Sequence, residues 1–474
     1  MKKIFVISIG VATGVFSIWL STIFSIRLLA LAVSSLPIIL LLFYYIVQKE
    51  KIDFLNPLLI FSLLYFLFFG LGGFLYEDIS NSKINIAALG TILGVLGYVL
   101  GFLFVEFTIN KNQSVKRKMQ SLEFENFSIK RSILFEKILF AIGFFSYVIY
   151  VLKIGGLPIL MGNLEQARVD ASLQGGAYLR LCVYLLILSA IIGVLNIRLN
   201  KLIVGVKNSS SVYRFWISVL AFLSLGNRSP VFNILFISCL ILLSIKYKGR
   251  ISFLKVTIFS TIGSFLVISF VGGFGAYRVL NTETFYSFPE FRPFIENKNY
   301  IGLSIYLFKH YLLIGYNNFL NVLDIVPTML SYQFGSTYAQ PILTVLPGQQ
   351  FTLDMQIKMA LGQTYLGGGT VPSVLGEAYV NFGIIGCLIV PFIVMFILNT
   401  MRYQFINNPS PGKMIIYIYL LSYLSNCLLS GIAATSVFPF VAVSILIFYH
   451  IYVCNFQHNN ITRSMMVSNI SSNK

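Results

Sequence analysis

The chain has 474 residues, of which 57% are apolar and 11% charged, with 34 Lys and Arg against 16 Asp and Glu for a net charge of +18. A soluble globule carries about 45–50% apolar and about 25% charged residues, so this composition excludes one and points to an integral membrane protein. The positive charge falls in short blocks between apolar runs, at Lys116–Lys118, Arg198–Arg214 and Lys246–Arg250. That is the positive-inside pattern, so membrane lipid and not nucleic acid is the expected partner of the charge.

Apolar runs near the roughly 20-residue spanning length recur throughout and predict an all-α polytopic domain over 1–474 with about twelve spans. They fall near 4–24, 28–47, 54–76, 84–108, 133–153, 178–197, 212–225, 229–245, 251–271, 374–399, 414–431 and 437–454. The first run follows Lys2 and Lys3 without a small-residue cleavage site, so it reads as a span rather than a signal peptide. Arg214 and Lys246 both belong to inner blocks, yet too few residues separate them for two full spans. Two short helices turning at Gly226–Pro230 keep both ends inside, and the Gly and Pro bracketing that turn fit the reading. With both termini cytoplasmic, about 23 of the basic residues lie inside and the outer face is nearly balanced.

Three connections are long enough to matter. The 110–132 segment is a basic cytoplasmic loop. The 155–177 segment, GGLPILMGNLEQARVDASLQGGA, is extracytoplasmic and carries Arg168. The 272–373 segment is a large extracytoplasmic loop, opening with GGFGAYR, which ends in Arg278. It passes FRPF, which holds Arg292, and closes on LGGGTVPS before GEAYVNFG. Long ordered connections are usually functional.

Arginine offers a planar fork that suits phosphate and pyrophosphate, which makes Arg168, Arg228, Arg278 and Arg292 candidate anion-binding residues. The blander alternative is a solvated arginine or one paired with a local acid, and Arg168 has Glu165 and Asp170 beside it. Inside the large loop a mostly apolar helix is expected near 301–326, lying on the membrane. His310, Asn317, Asn321 and Asp324 fall within about 60° of one another on it. His310 is a candidate general base, or a histidine satisfied by hydrogen bonds. Ser373, Glu377 and Asn381 share one face at the start of the 374–399 span. Glu377 is a second candidate catalytic group, or an acid that complements the helix dipole, and Asn381 a candidate sugar-binding residue. Glu77–Asp78 has no third carboxylate or histidine near it in sequence. The five cysteines form no CxxC pair, so neither a metal nor a cofactor is expected.

The ordered set GGLPIL…R, GNRSP, GFGAYR and GEAYVNFGIIG, over about residues 150–400, resembles Wzy-type polymerases, the O-antigen or oligosaccharide repeat-unit polymerases of bacteria. The resemblance implies a GT-C-like helical fold in the bacterial cytoplasmic (inner) membrane, with its active site facing outward. It implies an enzyme, a membrane glycosyltransferase joining oligosaccharide repeat units carried on undecaprenyl pyrophosphate. A chain-length regulator is the protein partner expected by analogy. Family arginines in outer loops are thought to hold the anionic carriers, and the matching positions are Arg168 and Arg278, with Arg228 in the GNRSP turn. Some members place a glycine at a fixed spacing after two of these arginines, where this chain has Leu179 and Pro289. An O-antigen ligase-like glycan transferase and a polysaccharide flippase are the alternatives.

Overall fold

The computed structural model describes residues 26–454, apart from 49–50, 78–82, 111–127, 161–176, 204, 206–207, 227, 248–249, 254, 257–262, 264–271, 274, 278, 281–290, 344–350, 364–368, 408 and 434–437. The helices are α1 (Ile26–Val47), α2 (Pro57–Leu75, with a π turn at Phe66–Leu71), α3 (Ile84–Asn110), α4 (Ile129–Ile154), α5 (Ala177–Ile203), α6 (Ser209–Ser224) and α7 (Arg228–Tyr247). They continue with α8 (Arg292–Glu296), α9 (Tyr300–Ile325), α10 (Gln340–Leu343), α11 (Leu353–Ala360), α12 (Ser373–Asn407), α13 (Pro411–Ser430) and α14 (Phe438–Tyr449).

Among the described residues, eight helices are long and apolar enough to cross a bilayer. The chain is therefore an all-α polytopic membrane protein. Eight of the twelve expected segments carry such a helix. Of the other four, 4–24 and most of 251–271 lie outside the described residues. The remaining two, α6 with 16 residues and α14 with 12, are shorter than a bilayer needs.

Local sequence sets many of the boundaries. The Asn56 side chain accepts from Leu58 N at 3.1 Å, and Pro57 supplies the preformed first turn of α2. Asn208, Asn299 and Ser410 cap α6, α9 and α13 in the same way. Gly155 ends α4 in a left-handed conformation at φ 84°. At the 226–230 turn, α6 stops at Ser224, Gly226 takes φ 70°, and α7 begins at Arg228 with Pro230 inside its first turn. Arg27 gives α1 its place. Its guanidinium donates to the carbonyls of Gly73 (2.9 Å), Phe74 (2.8 Å) and Tyr76 (2.5 Å), closing the C-terminal end of α2.

Small residues bring the central helices together. A Cβ at Gly97 or Gly101 of α3 would overlap the carbonyl of Leu388 or of Phe392 in α12, the close backbone approach that packs helices in lipid. At one end of the bundle, a two-residue antiparallel ladder pairs β1 (Ile52–Asp53) with β2 (Arg250–Ile251). Arg402 bonds Asp53 at 2.5 Å beside it and faces Glu106 at 3.8 Å. At this same end, by span connectivity, lies a second charged cluster. Glu136 is fully buried and receives Arg214 Nε at 2.8 Å, Asn196 Nδ2 at 2.8 Å and Ser211 Oγ at 2.8 Å. Asn196 in turn accepts from Ser132 at 2.6 Å, and Ser132 contacts the Tyr452 hydroxyl at 2.9 Å. This network links α4, α5 and α6 to the chain just after α14.

A buried carboxylate held by an arginine and two further donors costs most when one partner is removed. Arg214→Leu is expected to destabilise the protein by about 3–5 kcal/mol, and Glu136→Leu in the same chain to recover most of the loss. Thermal unfolding of the detergent-purified variants reads this out. Additive losses in the double variant would show that the two charges do not act as a pair.

Candidate functional site

Helix α12 is two helices. Its backbone leaves helical geometry at Phe382 (φ −136°, ψ 15°) and Gly383 (φ 61°, ψ −154°). The Gly383 conformation is open in practice only to glycine. Past this point the chain doubles back. A Cβ at Gly386 would overlap the carbonyl of Ala378, and Cys387 Sγ lies 3.7 Å from Leu375 O. In a straight helix residues 375 and 387 would stand about 18 Å apart. A short arm (373–381) therefore packs antiparallel on a long arm (384–407), and it is the long arm that crosses. The sequence reading has one straight span over 374–399 with Ser373, Glu377 and Asn381 at its outer end. In the structure those three residues lie on a re-entrant arm, all fully buried. Gly383 and Gly386 produce the difference, the first by its backbone freedom and the second by letting the arms touch.

A helix end inside an apolar bundle frees carbonyls that no water can reach, so protein groups must bond them. Here the segment 333–335 does so. Gln333 N donates to Val380 O at 2.9 Å, and Phe334 N to Asn381 O at 3.1 Å. Gly335 N donates to Asn381 Oδ1 at 2.8 Å. The Asn381 amide nitrogen is spent on Thr337 Oγ1 (2.6 Å) and Glu377 O (2.8 Å). Asn381 thus splints the break. The splinting turn is itself strained, since Phe334 sits at φ 46° with its ring 83% exposed. For a residue with a side chain that conformation costs about 1–2 kcal/mol.

Glu377 lies one turn below the break. Its carboxylate accepts from two successive backbone amides, Ile432 N on Oε2 and Ala433 N on Oε1 at 2.9 Å. These residues follow α13, and Tyr423 holds the other side of the connection by donating to Ile432 O at 2.5 Å. Successive N–H groups of this kind form a concave anion nest. Among the described residues no cation pairs with Glu377. An intramembrane carboxylate without a counter-charge is costly, and it marks a functional site by default. Nearby on α13, Asn426 donates to Asn233 of α7 at 2.6 Å. Asn233 lies five residues inward from Arg228, whose backbone opens α7 at this same end.

The remaining candidates are spread more widely. Arg168 and Arg278 lie outside the described residues, as does the Arg228 side chain. Arg292 is exposed and pairs with Glu296 at 3.2 Å, one turn along α8. His310 is exposed on α9, its ring stacked near Tyr306 at 6.4 Å. Asn317 and Asn321 are half-buried and Asp324 is exposed, so the stripe runs along the side of α9 away from Tyr316, Phe319, Leu320 and Leu323, which pack into the bundle. Neither His310 nor Arg292 makes a hydrogen bond or ion pair with the Glu377 cluster among the described residues. Glu77 pairs with Lys309 of α9 at 2.6 Å, and that lysine holds its carboxyl below the usual range. Asp78 lies outside the described residues. No group of three His, Cys, Asp or Glu able to hold a metal occurs among the described residues.

Sequence reasoning passed over Thr337, Tyr338, Tyr423, Asn233, Asn426 and the Ile432–Ala433 amides. The available signals were two asparagines inside apolar spans and the small, polar GIAATS stretch between two apolar helices. Tyr338 stacks on Phe382 at 6.5 Å, with its hydroxyl buried near Asn381.

The carboxylate and its two amides make Glu377 a test of the site's construction. Glu377→Gln replaces one acceptor with an NH2 that faces an N–H, and is expected to cost about 2–3 kcal/mol. A lower unfolding temperature and faster proteolysis after Gly431 would show it, and an unchanged pair of values would mean that the nest does not hold the connection. No family model matches the chain, and no curated protein or solved structure matches it either.

Proposed function

We propose that the chain is a membrane glycosyltransferase that joins oligosaccharide repeat units carried on undecaprenyl pyrophosphate, at the outer face of the bacterial cytoplasmic membrane. The observation that carries this reading is the buried Glu377 on a re-entrant arm, with no cation against it among the described residues. It lies at the end of the bundle where α7 opens on Arg228 and where the large 272–373 loop brings in α9. The motif order read from the sequence supplies the substrate class.

The chemistry asks little of a metal. An acceptor hydroxyl oxygen attacks the anomeric carbon of the growing chain. The bond from that carbon to the carrier pyrophosphate breaks, and the electron pair leaves with the phosphate. Arginines can stabilise the charge that develops there. The proton of the acceptor hydroxyl goes to a base, and the two candidates differ in access. His310 is exposed and free to approach a sugar. Both Glu377 oxygens are engaged by amides, so it acts by holding the 431–433 connection unless that connection opens. Arg168, Arg228 and Arg278 remain the pyrophosphate ligands of choice. Asn381, spent on the helix break, supports the site and leaves little for a sugar.

The broken helix favours a second reading. Discontinuous membrane helices often build the cargo sites of transporters, so flipping of the same lipid-linked glycan is the alternative. Elongation of lipid-linked repeats by the detergent-purified protein separates the two, because transport has no meaning without a sealed bilayer. A ligase is separated in cells.

Deletion of the gene is expected to leave glycan with a single repeat unit, where loss of a ligase would leave none attached. Arg228→Ala and Arg278→Ala are expected to keep normal protein levels but to fail to restore the ladder of longer chains. His310→Ala is expected to slow elongation by about 10²-fold or more. Full-length polymer in the deletion strain would overturn the function, and normal ladders from both arginine variants would overturn the pyrophosphate clamp.

A further inference from the structure

We propose that Phe334, on the turn that packs against Phe382, forms a stacking platform for a sugar ring of the glycan. This rests on the glycan-transferring reading above. Phe334 combines two costs. Its ring is 83% exposed, and its backbone stands at φ 46°. A glycine would remove the exposed apolar ring and the strain together. Folding stability therefore argues against phenylalanine here, and contact with something outside the chain argues for it.

The turn that carries the ring is also tied down. The amides of Gln333, Phe334 and Gly335 are all tied to Val380 and Asn381 at the helix break, so the turn that carries it is held rigidly. Gly335 lies against the Phe382 ring, where a Cβ would come within 3.4 Å of Cζ. Phe382 is itself 41% exposed, and Tyr338 stacks behind it with an interplanar angle of 21°. The edges of this aromatic group are polar. Ser331 and Ser336 are exposed, and Gln333 bridges them, donating to Ser331 O at 2.9 Å and accepting from Ser336 Oγ at 3.2 Å.

The contrast with a lipid-facing surface lies on the same element. Along the long arm, Ile385, Ile389, Ile393 and Ile397 are exposed at four-residue spacing. That stripe is aliphatic with no polar atom in it, as hydrocarbon requires. The 331–338 turn instead presents aromatic faces rimmed by hydroxyl and amide groups. A pyranose matches it on both counts. Its axial C–H groups lie on an aromatic face, and its hydroxyls reach polar groups at the edge.

The test uses the full-length chain, in the deletion strain and purified in detergent. The probe is the free repeat-unit oligosaccharide released by mild acid from the lipid carrier of the same cells. Phe334→Gly is expected to unfold at the same temperature as wild type or higher. It is also expected to lose about tenfold in long-chain glycan, the scale of one lost aromatic stack. Saturation-transfer NMR should show probe contact with wild type and with Phe334→Trp, and little with Phe334→Gly or Phe334→Leu. A lower unfolding temperature for Phe334→Gly would mean that the ring packs inside the protein and would overturn the platform. Full rescue by Phe334→Leu would make the residue a lipid anchor, with the same consequence. If the deletion strain loses its polymer while Phe334→Gly restores normal chains and normal probe contact, the platform fails and the transferase reading stands. If the deletion strain keeps full-length polymer, both fail.

Discussion

Hydrocarbon offers no hydrogen bonds, so a helix can stop inside a membrane protein only where other protein groups take up its free carbonyls. The break of α12 at Phe382–Gly383 is where this chain meets that constraint. Gly383 supplies the one backbone conformation that turns the chain there, and Gly386 lets the short arm lie on the long one. The freed carbonyls then recruit the 333–335 turn, with Asn381 as the splint. One turn below, the short arm carries Glu377 to the Ile432–Ala433 amides. The large loop and the fold-back are thus joined by one requirement, and Glu377 ties the connection after α13 to the same arm.

The two ends of the bundle treat charge differently. At the Arg402 end, Asp53, Glu106, Glu136, Arg214 and Arg402 meet opposite charges, and Glu136 also accepts from Asn196 and Ser211. Such clusters fix helix register. At the Glu377 end, the carboxylate has no cation among the described residues, and Phe334 is strained and exposed. Proteins keep costs of this kind where they serve function and relieve them elsewhere. Charge counting on the sequence leads to the expectation that this second end faces outward.

Much of the fold was legible because it rests on local rules. Spans showed as apolar runs, the 226–230 turn as a Gly and a Pro, and α9 as a mostly apolar segment with one polar stripe. The fold-back of α12 was hidden because hydropathy sums along the chain, and 373–407 is apolar on both sides of the break. Its one local signal was the glycine of the NFG tripeptide, Gly383. Arg27, between the first two apolar runs, closes the end of α2 through three carbonyls. Glu77, grouped with Asp78 in sequence, pairs with Lys309 more than 200 residues away. Long-range pairs like these leave no periodicity. The candidate site was legible in part. Glu377 and Asn381 were found by their helical spacing, but their partners at 333–337 and 432–433 come from distant segments. Arg168 and Arg278 lie outside the described residues.

The account depends most on the doubling back of α12, and proximity of two thiols tests it directly. Leu375→Cys, in a chain whose cysteines other than Cys387 are replaced by serine, puts one thiol on each arm. A short bifunctional thiol reagent should join residues 375 and 387 within one chain, giving a cross-linked peptide by mass spectrometry. In a continuous helix the two positions stand about 18 Å apart and cannot be bridged. Reaction of both thiols with a monofunctional reagent, without any cross-link between them, would contradict the re-entrant arm and the site built on it.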